Sequence, residues 1–481
     1  MSYYGYVVKI DKLREHPNAD KLQIATFFGA DTCIGLEAQI GDIGVYFPCD
    51  GQLSVEFCLN NNLLRKLPDG TDGPGYMDPD KRNVKAIKLR GEKSDGIYLP
   101  ISCLDYCFGE PAAAHFQVGD RLDVVNGHEI CTKYIPRHNP SKVRDGNHTR
   151  KKKVPIAPLF NEHADTEQLA YNLDAFKPGD EIEITLKMHG TSQRTGYLPV
   201  LKGYTGPGIA LDILNRKGIF RFMKPTDKMI SWAENKANPI YDWDYITGTR
   251  RTVLDSFNGG FYGSNEFREQ YHNFFKNRLQ KGEEVFYEVV GFTHTGTSIM
   301  AECSNKKMND KEFIKQYGDT TTFSYGCHPD GGYEIMCDGV GDSNTAWVSE
   351  PQSDIYVYRM TMTNEDGFVV EYTPDFMRYR CEQMGVKCVP VFWKGIVTGG
   401  FDHEGVAYGA GDEAKGIAER FYDGSDPIGK THIREGVVVR ILNRPKFCAY
   451  KHKNFAFKCI EGIIKETAEA PDMEEADGLD A

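Results

Sequence analysis

The stretch that most constrains this chain is Glu181-Ile182-Glu183-Ile184-Thr185-Leu186-Lys187-Met188-His189-Gly190-Thr191-Ser192-Gln193-Arg194. Ile182, Ile184 and Leu186 alternate with Glu183 and Thr185, the two-residue period of a half-buried strand. The strand delivers Lys187 at its end, and Gly190 is expected to let the backbone turn directly afterwards. To act as a nucleophile Lys187 must lose its proton, so its surroundings should draw its pKa from about 10.4 towards about 7–8. By itself a lysine at a strand end is also an ordinary solvated charge, and stretches further along decide between the two.

With 481 residues, 40% apolar and 26% charged, the chain can build two or three domains with a sizeable core. No apolar run approaches the roughly 18–20 residues a membrane span needs. The start, Met1-Ser2-Tyr3-Tyr4-Gly5-Tyr6, lacks a basic segment followed by an apolar one, so no secretory signal is expected. The 13 cysteines show no paired spacing and read as reduced thiols, which suggests an intracellular, reducing compartment, the cytoplasm first. The net charge of −12 is not that of a typical nucleic-acid binder, but half of it sits between Lys465 and Ala481, where seven acidic residues face one lysine. That acidic tail, bounded at 466–481, is expected to be disordered. The mildly acidic remainder does not exclude RNA, because binding depends on local patches.

Residues 1–130 read as an all-β module. Short β-rich runs at Tyr6–Ile10, Leu22–Phe28, Gly44–Pro48, Val84–Leu89, Ile97–Pro100 and Arg121–Val125 suit a small barrel. Lys81, Arg82, Lys85, Lys88, Arg90 and Lys93 form a basic run, either a solvated strand face or a surface for backbone phosphates. Residues 131–160 read as a basic linker, carrying Arg137, Lys142, Arg144, Arg150, Lys151, Lys152 and Lys153 among Pro, Asn and Gly. From 161 to 465 strand-like and helix-like stretches alternate. Phe267, Tyr271, Phe274, Phe275 and Leu279 fall on one helical face. Thr373 and Gly385 bracket a second helix as N-cap and stop, and a third is expected from Asp412 to Tyr422.

Four further stretches bear on chemistry. In Glu284–Gly291, Phe286, Glu288 and Val290 share a strand face, so Glu288 sits among apolar neighbours and needs a partner, a ribose hydroxyl or a structural arginine. In Asp354–Thr361, Tyr356 and Tyr358 share a face, and such a ring can stack a base or fill a core. Glu435 opens the run Glu435-Gly436-Val437-Val438-Val439-Arg440, where its carboxylate can face a divalent cation or the lysine. In Tyr450-Lys451-His452-Lys453, the two lysines alternate onto one face, where paired ammonium groups can neutralise a phosphate.

Taken in order, Lys187, Glu288, Tyr358, Glu435 and Lys451/Lys453 resemble motifs I, III, IIIa, IV and V of the covalent nucleotidyltransferases, the superfamily of ligases and mRNA capping enzymes. The chain as a whole resembles an ATP-dependent RNA ligase of the Deinococcus/Naegleria type over roughly residues 3–125 and 165–465. His16–Leu22 and Gly41–Asp50 resemble its N-terminal OB-like module, and Tyr317–Cys327 is a further matching phrase. The fold implied is α+β, an OB-like β-barrel followed by a nucleotidyltransferase domain of antiparallel sheets flanked by helices.

The resemblance also implies roles. Lys187 would carry AMP as a phosphoramidate, Glu288 would hold the ribose and Tyr358 would stack on adenine. Glu435 would act with Mg²⁺ or Mn²⁺ and the lysine, Lys451 and Lys453 would hold the α-phosphate, and His189 would serve after adenylylation. Leu186 stands where several relatives have glutamate and Ser192 where some have asparagine. An arginine that relatives use downstream of the lysine has three candidates, Arg194, Arg216 and Arg221. The implied activity is the joining of RNA 3′-OH and 5′-phosphate ends, free, splinted or in a nicked duplex, in RNA repair, by a monomer without membrane association. DNA ligase, guanylyltransferase and a non-catalytic RNA-binding protein are the competing readings. The 459–481 stretch after motif V is too short for the OB domain that the first two usually carry there. A zinc site from Cys303, Cys327, His328 and Cys337 is a remote alternative because no C-x-x-C pair is present.

Overall fold

The strand that ends at Lys187 lies inside a sheet rather than on its edge. The computed structural model describes residues 3–134, 155–205, 238–254, 256–257, 265–300, 314–315, 322–336, 345–430 and 432–467. In it Asp180–Leu186 sits fourth in a five-stranded sheet ordered Glu167–Gln168, Ala449–Lys453, Gly436–Ile441, Asp180–Leu186, Val391–Val397. All pairs are antiparallel except the short first one. Ile182, Ile184 and Leu186 are buried, and Ile182 and Ile184 pack with Val437, Val439 and Ile441 beneath the helix Ala410–Ala418.

The Glu288 strand (Glu283–Gly291) lies in a seven-stranded sheet, between Thr191–Thr205 and the Tyr358 strand (Ser353–Thr363). Every residue of Glu283–Gly291 is buried. One face packs Val285, Tyr287 and Val289 against the helices Glu266–Phe275 and Pro374–Met384. The other face looks towards the five-stranded sheet, and the candidate site lies between the two.

The helix ends follow from their caps. Thr373 Oγ1 accepts the Phe376 N–H, Pro374 occupies the first turn, and Gly385 stops the helix at φ 70°. The first expected helix ends at Phe275, earlier than its apolar face implies. Asn277 turns the chain at φ 64°, yet Leu279 still joins the same core. The third occupies Ala410–Ala418 instead of 412–422, because residues beyond Ala418 turn back through bonds such as Tyr422 N–H to Ala418 O.

The N-terminal part is rich in short strands, as expected. Its main sheet is ordered Arg121–Leu122, Gly5–Lys9, Ile43–Phe47, Ile97–Pro100, beside a three-stranded sheet of Leu13–Glu15, Leu22–Phe27 and Ala30–Gly35. Among the described residues strand pairing does not close these into a barrel. His16 is a turn post here: Nδ1 accepts the Asn18 N–H and Nε2 lies 3.1 Å from Leu89 O. The expected linker 131–160 is too wide, since Cys131–Lys133 pairs with Gly51–Leu53, and Ala157 and Phe160 are core residues. The helix Phe455–Thr467 runs into the expected tail. Residues 135–154, with all seven basic residues named for the linker, and 468–481 lie outside the described residues.

Two contacts tie the N-terminal part to the helix Phe455–Thr467. Lys458 Nζ lies 2.5 Å from Asp95 Oδ2, both largely buried, and Lys93 Nζ sits 5.4 Å from the Phe455 ring. On the neighbouring surface Tyr6 packs 4.7 Å from Tyr171.

Candidate active site

Strand register brings the five sequence motifs together. Gly436 pairs with Lys453 and Val438 with Lys451, while Lys187 N–H donates to Gly436 O. Gly436 has φ 149°, and a Cβ there would sit 2.1 Å from His452 O, so glycine is required beside Glu435. Gly190 is required for a different reason from the expected turn. It lies outside the left-handed region, but a Cβ would meet Val289 O at 2.3 Å, so glycine lets the loop after Lys187 lie on the Glu288 strand.

Glu435 is the hub. Its Oε1 lies 2.7 Å from Lys187 Nζ and 3.8 Å from Lys453 Nζ, and its Oε2 lies 3.3 Å from His189 Nδ1. A carboxylate only accepts, so His189 Nδ1 carries the proton of that bond. Burial alone would push the Glu435 carboxyl up, but Lys187, His189 and Lys453 hold it well below the usual carboxylate range. The same pairing favours the ammonium form of Lys187 in the free protein, the opposite of what a nucleophile needs.

His189 is boxed by residues whose role the sequence did not announce. Its backbone N–H donates to the Tyr325 hydroxyl at 2.7 Å, and its ring meets Phe323 at 4.7 Å and Phe457 at 4.9 Å. Phe323 and Tyr325 belong to the Tyr317–Cys327 phrase, so the described part of that phrase packs on the histidine. The remainder, 317–321, lies outside the described residues.

A cavity opens between the two sheets from Lys187. It is lined by Glu288 and Tyr358 on one side and by Thr185, Val438 and Arg440 on the other. The Tyr358 hydroxyl lies 3.0 Å from Ser192 Oγ, so Ser192 anchors the ring from the start of the strand Thr191–Thr205 that follows the lysine loop. Tyr356 and Tyr358 share a face as expected, but a bulge at Tyr358 places Arg359 there too. Arg359 binds Glu371, donates to His163 Nδ1 at 3.1 Å and stacks over Phe286 and Phe447. Burial and then Arg359 hold the His163 imidazole well below its ordinary pKa, so the neutral ring carries its proton on Nε2 at the cavity wall.

Lys451 and Lys453 both point inward and are nearly buried. Burial, then Lys453, Lys133, Lys187 and Arg250, draw Lys451 down to about 7. Lys453 moves the other way: burial opposes its charge, but Glu461, Asp50 and Glu435 raise it well above the usual lysine range. Asp50 and Lys133 belong to the N-terminal part. Together with Lys451, Lys458 and Arg121 they line a second cleft of about 430 Å³, which shares Thr166 with the cavity at Lys187.

Of the arginine candidates, Arg194 is a structural post. Its side chain is buried, paired with Glu284 at 3.1 Å, bonded to Thr249 O and stacked 3.8 Å from the Phe160 ring. Arg216 and Arg221 lie outside the described residues. Arg250, which the sequence reading missed, lines the cavity and is held by Asp165 at 3.0 Å. In the basic run Arg82 is spent on the carbonyls of Leu53, Pro79 and Asp80, and Arg90 on Asn18 O. Of the remote zinc set, Cys303 and Cys337 lie outside the described residues. Among those described, no three His, Cys, Asp or Glu side chains gather as a metal group.

No family model and no curated protein matches the chain. Solved structures do. A mutant Naegleria gruberi RNA ligase with ATP and Mn aligns over 97% of this chain and 99% of that one, at TM-score 0.51 and 15% identity. A mutant with AMP and Mn aligns over 94% and 97%, and an apo mutant over 95% and 97%, both at TM-score 0.50 and 15% identity. At that identity the likeness is one of fold, and it runs nearly end to end: this chain has the fold of the Naegleria RNA ligase.

Proposed function

We propose that the protein is an ATP-dependent RNA ligase that works through a lysyl-AMP intermediate. The observation that carries the reading is the gathering of Glu435 and Lys453 around Lys187, which lines the cavity with Glu288 and Tyr358, while Lys451 lines the adjoining second cleft. The fold likeness to a ligase solved with ATP, AMP and Mn supports it.

In the first step the Lys187 amine attacks the α-phosphorus of ATP. A nitrogen–phosphorus bond forms, the bond to pyrophosphate breaks, and Nζ gives up a proton. Lys187 must leave its pairing with Glu435 to do so. AMP then passes to a 5′-phosphate on RNA, and a 3′-hydroxyl displaces it. Lys453 and the protonated form of Lys451 neutralise charge on the phosphate, Glu288 holds the ribose, Tyr358 stacks on the base, and Glu435 fixes the His189 imidazole. Mg²⁺ or Mn²⁺ fits the donor set: Glu435 offers one hard carboxylate beside a phosphate site, and Mg²⁺ favours one or two carboxylates plus phosphate oxygens. When bound, the ion would neutralise phosphate charge.

The N-terminal part, read as an OB-like module within the boundaries 1–130, is proposed to bind RNA. The 161–465 region is the nucleotidyltransferase domain, and the enzyme is a cytoplasmic monomer of RNA repair. Incubation with α-labelled ATP or GTP, followed by denaturing electrophoresis, tests the reading. Acid-labile label from ATP that disappears in Lys187→Ala is expected. Label from GTP alone would move the protein to capping chemistry, and ATP-dependent sealing by Lys187→Ala would refute the mechanism.

A further inference from the structure

Leu186 occupies the position before the nucleophile and is 2% exposed in the core, so it offers the nucleotide no polar group. The strand period supplies one elsewhere. Residues 183, 185 and 187 share a face, and Glu183 lies about 13 Å back along the strand from Lys187. Its side chain lines the same cavity, at the end away from the nucleophile. It is 3% exposed, an uncommon place for a carboxylate. Arg378, from the helix Pro374–Met384, donates to Glu183 Oε2 at 2.8 Å. Among the described residues Oε1 accepts no hydrogen bond. Arg378 is itself shared with Asp375 at 2.7 Å, so it is tethered from two sides, and it also lines the cavity.

A carboxylate that lines a cavity, hydrogen-bonded through one oxygen to Arg378 and paired across the strands with Arg440, keeps acceptor capacity for a donor. With the α-phosphate at Lys187 and the ribose at Glu288, the base of the nucleotide points towards this end. An exocyclic amine is the donor that adenine presents on its edge. We infer that Glu183, fixed by Arg378, reads the amino group of adenine and is the specificity-determining carboxylate of this site. The inference rests on the nucleotidyl-transfer reading above and assigns that site its base-recognising group.

The test compares ATP with purine riboside 5′-triphosphate, which has hydrogen in place of the amino group. Label transfer to the full-length protein is measured as kcat/KM for each nucleotide, together with protein melting. The wild type is expected to prefer ATP by about 10- to 100-fold, the range of one hydrogen bond to a charged group. Glu183→Ala should lose most of that preference by slowing with ATP while changing little with the analogue. Should Glu183→Ala fail to fold, Glu183→Gln carries the test: it keeps an acceptor for Arg378 but removes the charge, and its ATP preference should fall several-fold. Wild-type protein that labels equally with both nucleotides, or variants that slow equally with both, would overturn the inference while leaving the ligase reading intact. No label from either nucleotide would overturn the nucleotidyl-transfer reading and this inference with it.

Discussion

Lys451 gives the sharpest quantitative expectation. Burial and the cations Lys453, Lys133, Lys187 and Arg250 draw its pKa to about 7, so in the free protein at neutral pH it is only about half protonated. Set against an ordinary lysine, that is roughly 5 kcal/mol of lost preference for the charged form. An arriving triphosphate reverses the sign of the local field and should restore the ammonium. Binding above pH 7 must therefore take up a proton at Lys451, and apparent affinity should fall by up to tenfold per pH unit until the bound form also titrates. Calorimetry with an α,β-methylene ATP analogue, run at pH 8 in buffers of different ionisation enthalpy, measures that uptake directly. An uptake approaching one proton is expected, and it should vanish in Lys451→Met. The same group affects the free protein. The unfolded lysine keeps its proton up to about 10.4 while the native one loses it near 7, so unfolding takes up a proton in that window and stability rises with pH, by up to about 1.4 kcal/mol per unit. Zero proton uptake at pH 8, or equal uptake in Lys451→Met, would refute the reasoning.

Two further variants separate roles within the site. His189→Ala should spare lysyl-AMP formation more than sealing of RNA that already carries a 5′-AMP cap; an earlier block than that, read by label transfer, would contradict the assignment. Tyr358→Phe removes the bond to Ser192 Oγ and should cost about 1 kcal/mol, or several-fold in kcat/KM for ATP, whereas Tyr358→Ala removes the ring and should cost far more; equal losses would show that the hydroxyl, and not the ring, is the working part.

The motif strands were legible because each sets a polar residue against a regular apolar period. Lys187, Glu288 and Glu435 stand out as charges where a core residue or a turn is due, and strand register then brings them together. The helix Pro374–Met384 was legible because Thr373 and Gly385 are chemical stop signs. Groups that act only through distant neighbours were not. His163 meets Arg359 across 196 residues, and Tyr325 reaches His189 across 136. The bulge that puts Arg359 on the same strand face as Tyr356 has no local signature, since it depends on the partner strand. Arg194 misled because a buried arginine stacked on Phe160 looks in sequence like any arginine after a motif. The six expected N-terminal runs lie within about two residues of strands, the last as two short ones, but Leu13–Glu15, Ala30–Gly35, Gly51–Leu53 and Glu92–Asp95 were missed, and how the strands pair depends on contacts that a sequence pass does not show.

Those contacts also bear on why the N-terminal part sits against the site. Asp50 and Lys133 influence the two phosphate-facing lysines, and Asp95 holds Lys458 on the helix that directly follows them. Lys458 loses hydration on burial, yet Asp95 more than restores its charge, so its pKa lies above the ordinary lysine value. Removing one partner of such a pair leaves the other charge buried. Asp95→Asn or Lys458→Met alone should therefore destabilise by about 3–5 kcal/mol in denaturant unfolding. Replacing both with apolar residues, Asp95→Leu with Lys458→Met, should recover much of the loss, because the desolvation cost of the pair disappears with it. Recovered stability without recovered lysyl-AMP formation would mean that the charge pair tunes the phosphate site as well as joining the two parts. Single and double variants all within about 0.5 kcal/mol of wild type, the size of an ordinary surface change, would show that the pair does not join them.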